Sequence, residues 1–599
     1  MLVFSPSTTT RLGAWPLMLL LSSLLLACAT PPPVRQVPVF TAPTRPVASA
    51  PAAPASAVAP PAPAPAPATT YPIPSSAPAI ATLPPGAPYG AAVAARFPDP
   101  PVVYQTPAFQ PGRNTFTSNA ELQSLMRGLV RDGGLAGTTV RLLSLGRSQA
   151  GVPIEALLFT RSPDIEAAAL VRSGKPTVLL VGQQHGDEPA GSEALVVVMQ
   201  ELARGRLEPL LDRIHVVVLP RANPDGAVNG SRVSASGIDI NRDHLLLRTP
   251  EAQAIAQLAR EYRPAVVGDL HEYTVVGRYL EKFGTVQRFD ALVQYAMTPN
   301  LPEFVTKASE EWFRQPLLTS LKAEGLSSEW YYTTSTNAAD KKISMGGIQP
   351  DTGRNVNGLK NAVSFLVETR GVGLGRLHLA RRVHTQVTAA TSLLRSTAER
   401  AADLAKLRAF VEQEVSAQAC QGETVLEGAA TTSEYALVML DPQTGADKTL
   451  TVTWDSALQL RPVKVRPRPC GSWLSADQAD AVRRLRGLGV SVQQLDELGE
   501  MRGEIYRETG REQGVRADVR GSIADAGSVV KVQVQTVPAL LDVPAGSYYV
   551  PLDQPLANLV IAALEPDTQN SFVTHGIVSS VDVQARVMAR PSVKSRPVP

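Results

Sequence analysis

The sequence predicts an α/β fold: a mixed, largely parallel sheet with helices on both faces, followed by a smaller C-terminal α/β accessory domain. Three observations carry this expectation. Short β-branched apolar runs alternate with helical patterns between residues 105 and 395. The run 177–181, bounded by Pro176 and Gly182, is apolar or β-branched at every position, as a strand buried on both faces requires. At the carboxyl ends of such runs stand His185 with Glu188, then His271, then Glu368, and open α/β sheets place their ligand sites there.

Each element has its own signal. Residues 118–131, SNAELQSLMRGLVR, put a Ser or Asn cap before helical periodicity. Strands over 141–148 and 154–160 follow, joined by the turn GRSQAGVP. After the 177–181 strand, the pattern turns helical from Pro189, so His185 and Glu188 occupy the connecting turn. Gly186 lets that turn be tight, so that an imidazole and a carboxylate can converge on one ion. The run 214–219 leads into PRANPDGAVNG, a loop by composition. Then comes GIDINRD, whose Ile-Asp-Ile segment is expected to be a strand that points Arg242 into the site. A helix over 250–262, a strand over 265–270 ending in His271, irregular loops over 272–360, a strand over 362–367 and a helical segment over 376–407 complete this part. Beyond Cys420 strands such as EYALVML and KTLTVTW predominate, with SADQADAVRRLRGLG a capped helix closed by Gly. Residues 410–599 show no catalytic cluster and read as an accessory domain that packs on the first or binds substrate.

A chain of 599 residues is too long for one core. Residues 29–100 are rich in Pro and Ala with almost no charge, which predicts an extended linker and folded structure from near Pro100. Residues 1–28 carry a lone Arg11 before an apolar stretch too short to span a membrane, the pattern of an export signal. Its end, Leu25-Leu26-Ala27-Cys28, resembles a bacterial lipoprotein box. That resemblance implies lipidation of Cys28 and a periplasmic or cell-surface protein anchored to the bacterial membrane. An ordinary cleaved signal is the alternative. The net charge is +3 with no cluster of Lys and Arg among aromatics, so nucleic acid is not an expected partner. Cys420 and Cys470 lack metal-ligand spacing; in an oxidising compartment they are a candidate disulfide, with two buried thiols the alternative.

Together His185, Glu188 and His271 offer two imidazoles and one carboxylate, a set that suits a single catalytic zinc ion with a fourth position left to water. The ordered motifs His185-Gly186-Asp187-Glu188, Asn223-Pro224-Asp225-Gly226, Asn241-Arg242, His271 and Glu368 in FLVETRG resemble those of the zinc carboxypeptidase family, over roughly residues 105–395. The resemblance implies zinc at His185, Glu188 and His271, a clamp for the substrate's terminal carboxylate at Asn241 and Arg242, and a catalytic glutamate at Glu368. It also implies that Arg232 stabilises the developing oxyanion, although Arg221 competes for this role. The family's substrate-covering tyrosine has no clear counterpart, because no Tyr lies between Tyr332 and Glu368. Arg354 in DTGRNVNGL is a candidate substrate contact or a structural loop arginine. His215 inside an apolar strand reads as a core residue, and His244 stays open. The segment GSYYVPLDQPLANLVIAALEP resembles a closing element of long bacterial relatives. The activity implied is hydrolysis of the C-terminal bond of peptides bearing a free terminal carboxylate. The alternatives are an amidase of the same fold acting on cell-wall stem peptides or N-acyl amino acids, and a non-catalytic binding lipoprotein.

Overall fold

The strand Thr177–Gly182 is buried at every position. In a computed structural model, which describes residues 83, 86–135, 137–523 and 528–598, it lies inside an eight-stranded sheet. Across that sheet the strands run Thr139–Arg147, Pro153–Thr160, His215–Leu219, Thr177–Gly182, Val266–Thr274, Val363–Val372, Ala291–Tyr295 and Ser328–Trp330. His215–Leu219, Thr177–Gly182, Val266–Thr274 and Val363–Val372 are mutually parallel, and the first two strands join antiparallel. The fold is thus a mixed, largely parallel sheet with helices packed on both faces. Helices Ala190–Arg204 and Leu379–Glu399 pack together and on the central strands, while Pro250–Tyr262 packs with Ala167–Arg172.

Local signals explain the element ends. Asn119–Asp132 starts with a complete capping box between Ser118 and Glu121. Pro250–Tyr262 begins with Pro at its first position and is capped by Thr249, whose side chain accepts from the Ala252 N–H.

Four expectations need correction. The segment after Leu219 is not all loop, since Pro224–Asn229 is a short helix. Asn223 caps it by accepting from the Gly226 N–H at 2.8 Å, and Gly230 ends it with φ of 58°. Arg242 leaves a one-turn 3₁₀ helix, Ile240–Arg242, rather than a strand, because Asp239 folds back to accept from the Asn241 N–H. Residues 272–360 are more regular than their composition suggests. They hold two strands of the main sheet and a helical run through Glu303–Ala308, Ser309–Arg314 and Gln315–Ala323. Finally, folded structure begins before Pro100. Tyr89, Val93 and Phe97 are buried in the main core, and Arg96 donates to Gly445 O and Asp447. Two aromatics and one arginine fall within the nine residues from Tyr89 to Phe97, a density the preceding Pro/Ala stretch does not reach.

The C-terminal third is built into the rest. The ribbon Glu423–Leu440 with Asp447–Pro467 joins strands Val286–Gln287, Ile343–Met345 and Tyr332–Thr333 in one five-stranded sheet. The fully buried helix Ala557–Leu564 sits over the 300–361 region, with Asn558 donating to Asn300 O and Asn361 donating to Pro555 O. One continuous apolar core takes in Leu179, Trp454, Leu485 and Val560, and the described residues form a single unit. The expected boundary between residues 395 and 410 is therefore crossed by shared sheet and shared core. Cys420 and Cys470 are bridged, with their Cα atoms 4.2 Å apart. Closing a loop of this length contributes about 3–4 kcal/mol in the chain-entropy description. Cys28, the export signal and most of the 29–100 linker lie outside the described residues. Among the described residues no helix is long and apolar enough to cross a membrane.

Candidate metal centre

The end of one strand, the turn after it and the interior of a second strand bring the expected metal-competent residues together. Thr177–Gly182 delivers the His185–Glu188 turn, and the neighbouring parallel strand Val266–Thr274 delivers His271. Gly186 is required for a reason its sequence position did not show. A Cβ there would lie 1.9 Å from the carbonyl carbon of Gly226, so the His185 turn and the Asn223–Gly226 motif pack backbone against backbone. The Gly186 N–H donates to Ser231 O at 2.8 Å and fastens the same contact.

One ligand atom each from His185, Glu188 and His271 lie within 4.8 Å of one another, and all three residues are buried. His185 Nδ1 is 2.7 Å from Glu188 Oε1, His271 Nδ1 is 2.8 Å from Glu188 Oε2, and the two Nδ1 atoms are 3.1 Å apart. The opposite ring nitrogens meet carboxylates: His185 Nε2 lies 3.1 Å from Asp239 Oδ1, and His271 Nε2 lies 3.0 Å from Asp269 Oδ1. This is the arrangement that fixes ring orientation and raises ligand basicity at metal sites. Glu188 is held in turn by the Glu272 backbone N–H at 3.0 Å. The donor set, two imidazoles and one carboxylate facing a common point, fits zinc.

Glu368 stands in the Val363–Val372 strand at the position paired directly with His271. Both residues lie within strands whose pairing continues beyond them, not at the strand ends as expected. Glu368 is buried, and among the described residues no group hydrogen-bonds its carboxylate. Burial, and after it the Glu188 carboxylate, pushes its pKa up to about 7.

The arginines separate by their partners. Arg232 lines the cavity in front of His185; it donates to Glu188 Oε1 at 3.1 Å and pairs with Asp239 Oδ2 at 3.0 Å. Arg221, its competitor, is structural. It donates to Gln183 Oε1, Asn119 Oδ1 and Thr117 O, and so holds Gln183 at a left-handed φ of 48° before the His185–Glu188 turn. Asn241 is committed to the frame, accepting from the Gly353 N–H at 2.8 Å with its Nδ2 3.2 Å from His271 Nε2. Arg242 reaches the cavity and pairs with Asp518. Arg354 also lines it, donating to Gly347 O at 2.6 Å while its Nε finds no partner among the described residues. Burial pulls Arg354 down to about 10. His215 is a core residue between Thr160 and Ser173 hydroxyls. His244 packs its Nε2 2.8 Å from Gln184 Oε1 behind the site, and burial pulls it down to about 4.

Residues 135–374 match the family described as zinc carboxypeptidase. These residues form a zinc carboxypeptidase domain. The protein is a metallocarboxypeptidase, a hydrolase of peptide bonds. Carboxypeptidase 2 of Trichophyton rubrum is 28% identical over 417 residues, 68% of this chain and 74% of that protein. Carboxypeptidase D of Mus musculus is 31% identical over 179 residues, 23% of this chain and 13% of that protein. A solved metallo-carboxypeptidase from Pseudomonas aeruginosa is similar over 48% of this chain and 68% of its own, at 20% identity and a TM-score of 0.35.

Sequence reading missed three residues of this metallocarboxypeptidase site: Tyr331, Asp518 and Arg520 line the same cavity as Glu368. Tyr331 precedes the window in which a tyrosine was sought, and the strand Tyr332–Thr333 beside it belongs to the sheet shared with the C-terminal ribbon. Burial, and then Glu368, pushes its hydroxyl up to about 12, so it stays a neutral donor. Asp518 and Arg520 had no local signal. Asp239 and Asp269 differ, because their closeness in sequence to Asn241 and His271 could have marked them as supports.

The geometry of these supports makes a prediction. Asp269→Asn should weaken zinc binding by about 10- to 100-fold while leaving the fold intact. Competition with a chelator measures this, and unchanged affinity would show that Asp269 does not support His271.

Proposed function

We propose that the protein removes C-terminal residues from peptides, with one zinc ion held by His185, Glu188 and His271 and with Glu368 as general base. One observation carries the reading. Two carboxylate-backed histidines and a glutamate face a common point, beside a buried glutamate whose carboxylate is free of hydrogen bonds among the described residues. Bound zinc supplies a Lewis acid that lowers the pKa of a water molecule and polarises the scissile carbonyl. Glu368 takes the proton from that water and hands it to the leaving amine. A carboxyl raised towards neutrality suits both transfers. Arg232, partly exposed at the cavity wall, is placed to stabilise negative charge on the carbonyl oxygen. Arg242 receives the substrate's terminal carboxylate in a charge-assisted pair, with Arg354 on the same cavity. Asn241 contributes by holding the Gly353 N–H rather than by gripping substrate. Tyr331 is the tyrosine that can cover the bound residue.

A specific observation favours a second reading, an amidase of the same site. Arg242 already has a carboxylate partner in Asp518, which suits a substrate without a free carboxylate. Export and lipid attachment at Cys28 are proposed on residues 12–28 alone.

Three outcomes test these readings. Glu368→Gln should retain zinc and lose about 10²- to 10⁴-fold in kcat; turnover within a few-fold of wild type would assign the base elsewhere. Amidating a peptide's C-terminus should lower kcat/KM by about 30- to 1000-fold, and Arg242→Ala should erase most of that difference. Equal cleavage of acid and amide by the wild type favours the amidase. In cell fractionation Cys28→Ala should move the protein from membrane to soluble fraction, and an unaltered distribution would end the lipid-anchor reading.

A further inference from the structure

The strands Gly499–Val515 and Ser528–Val543 form a long antiparallel ribbon. Its outer end carries the small pairing of Ala517–Asp518 with Gly521–Ser522. This tip lies outside the residues matched to the family, yet it sits in the site. Asp518 Oδ2 is 2.5 Å from an Arg242 guanidinium nitrogen, and the two side chains are only 3% and 12% exposed. Arg520 follows in the same tip, 3.4 Å from Asp518 and 3.8 Å from Asp239. Between the tip and Tyr331, Arg354 and Glu368 the remaining cavity measures about 30 Å³. That is room for a water molecule or two and not for an amino-acid residue.

The contact has the chemistry of the ligand that Arg242 is built to receive. A terminal carboxylate and an Asp carboxylate present the same two oxygens to a guanidinium. Asp518 Oδ1 accepts from the Arg520 N–H at 2.8 Å within the tip, but groups other than Asp518 also hold the tip in place. Arg516, at its neck, pairs with the buried Asp351 and donates to Arg242 O, and the Thr336 N–H donates to Arg520 O at 3.0 Å. Asp518 can therefore turn away while the neck stays docked, and Arg520 stands beside it as a second cation. An exchange of one carboxylate for another at Arg242 leaves neither the arginine nor Asp518 buried without a counter-charge, which would otherwise be strongly unfavourable.

We propose that Asp518 is a specificity-determining residue that occupies the terminal-carboxylate subsite as an internal competitor. Substrate enters by displacing it from Arg242 towards Arg520. This rests on the reading of Arg242 given under Proposed function. A peptide with a free C-terminal carboxylate makes the exchange. A peptide amide offers no anion and leaves Asp518 in place.

The test measures binding without turnover, in the full zinc-loaded chain carrying Glu368→Gln. Titration calorimetry compares a free-acid peptide and its C-terminal amide on this protein and on the same protein with Asp518→Asn, with Asp518→Ala as a second variant. Zinc content and thermal melting are checked for each. Removing the competing charge should tighten binding of the acid by about tenfold or more, with a much smaller change for the amide. In turnover with Glu368 restored, the gain should appear in KM rather than in kcat. Unchanged or weaker binding of the acid in both folded, zinc-loaded variants would overturn the proposal, since Asp518 would then be orienting Arg242. Equal binding of acid and amide in every protein, including the parent, would overturn the terminal-carboxylate reading of Arg242 and the proposal with it.

Discussion

Everything in the site depends on holding two imidazoles in one orientation. His185 and His271 are buried, and each is fixed by a carboxylate at the nitrogen facing away from the common point, Asp239 for one and Asp269 for the other. Asp239 also pairs with Arg232 and caps the turn that carries Asn241, while Asp269 also accepts from Gln184. The supports are thus shared among the turn, the cavity arginine and the strand. A shift in either carboxylate would move several parts of the site together.

The second constraint is the burial of charge. Glu188 and Glu368 project from elements packed in an apolar sheet, where an uncompensated ion would be strongly disfavoured. Glu188 is matched by the two histidines, Arg232 and a backbone N–H. Just behind it, Glu272 is matched by a bidentate pair with Arg382 at 2.7 and 2.9 Å, and by the Ala190 N–H. Burial raises the pKa of Glu272 even so, and it raises that of Glu368, which among the described residues has no hydrogen-bond partner, to about 7. Glu188, matched by both histidines, is held low instead, which suits it to bind a cation where Glu368 can carry a proton.

The C-terminal third shapes the site without supplying ligands to the common point. One of its ribbons completes the sheet that holds the strand beside Tyr331, and the tip of the other lines the cavity with Asp518, Val519 and Arg520. The buried helix Ala557–Leu564 and the shared core make these placements firm. A pairing between residues 242 and 518 brings together parts of the chain that no local pattern relates.

What the sequence determined by itself is local. Strands with every position apolar or β-branched, such as 177–181, could only be central. A cap such as Ser118 marked a helix start, and His185, Glu188, His271 and Glu368 stood beside runs whose direction a parallel sheet constrains. The candidate ligand set and the glutamate beside it were legible for that reason. Tertiary structure decided the rest, because the deciding interactions are long-range or backbone-to-backbone. Gly186 is fixed by its approach to Gly226, Arg232 was separated from Arg221 only by their partners, and His271 was set opposite Glu368 by strand register. Tyr331 enters the site through a sheet completed more than a hundred residues later, and Asp518 through a ribbon whose tip carries no motif. Periodicity reports which face of an element is buried. It does not report which distant charge will lie against it, and in this protein that contact decides what Arg242 meets.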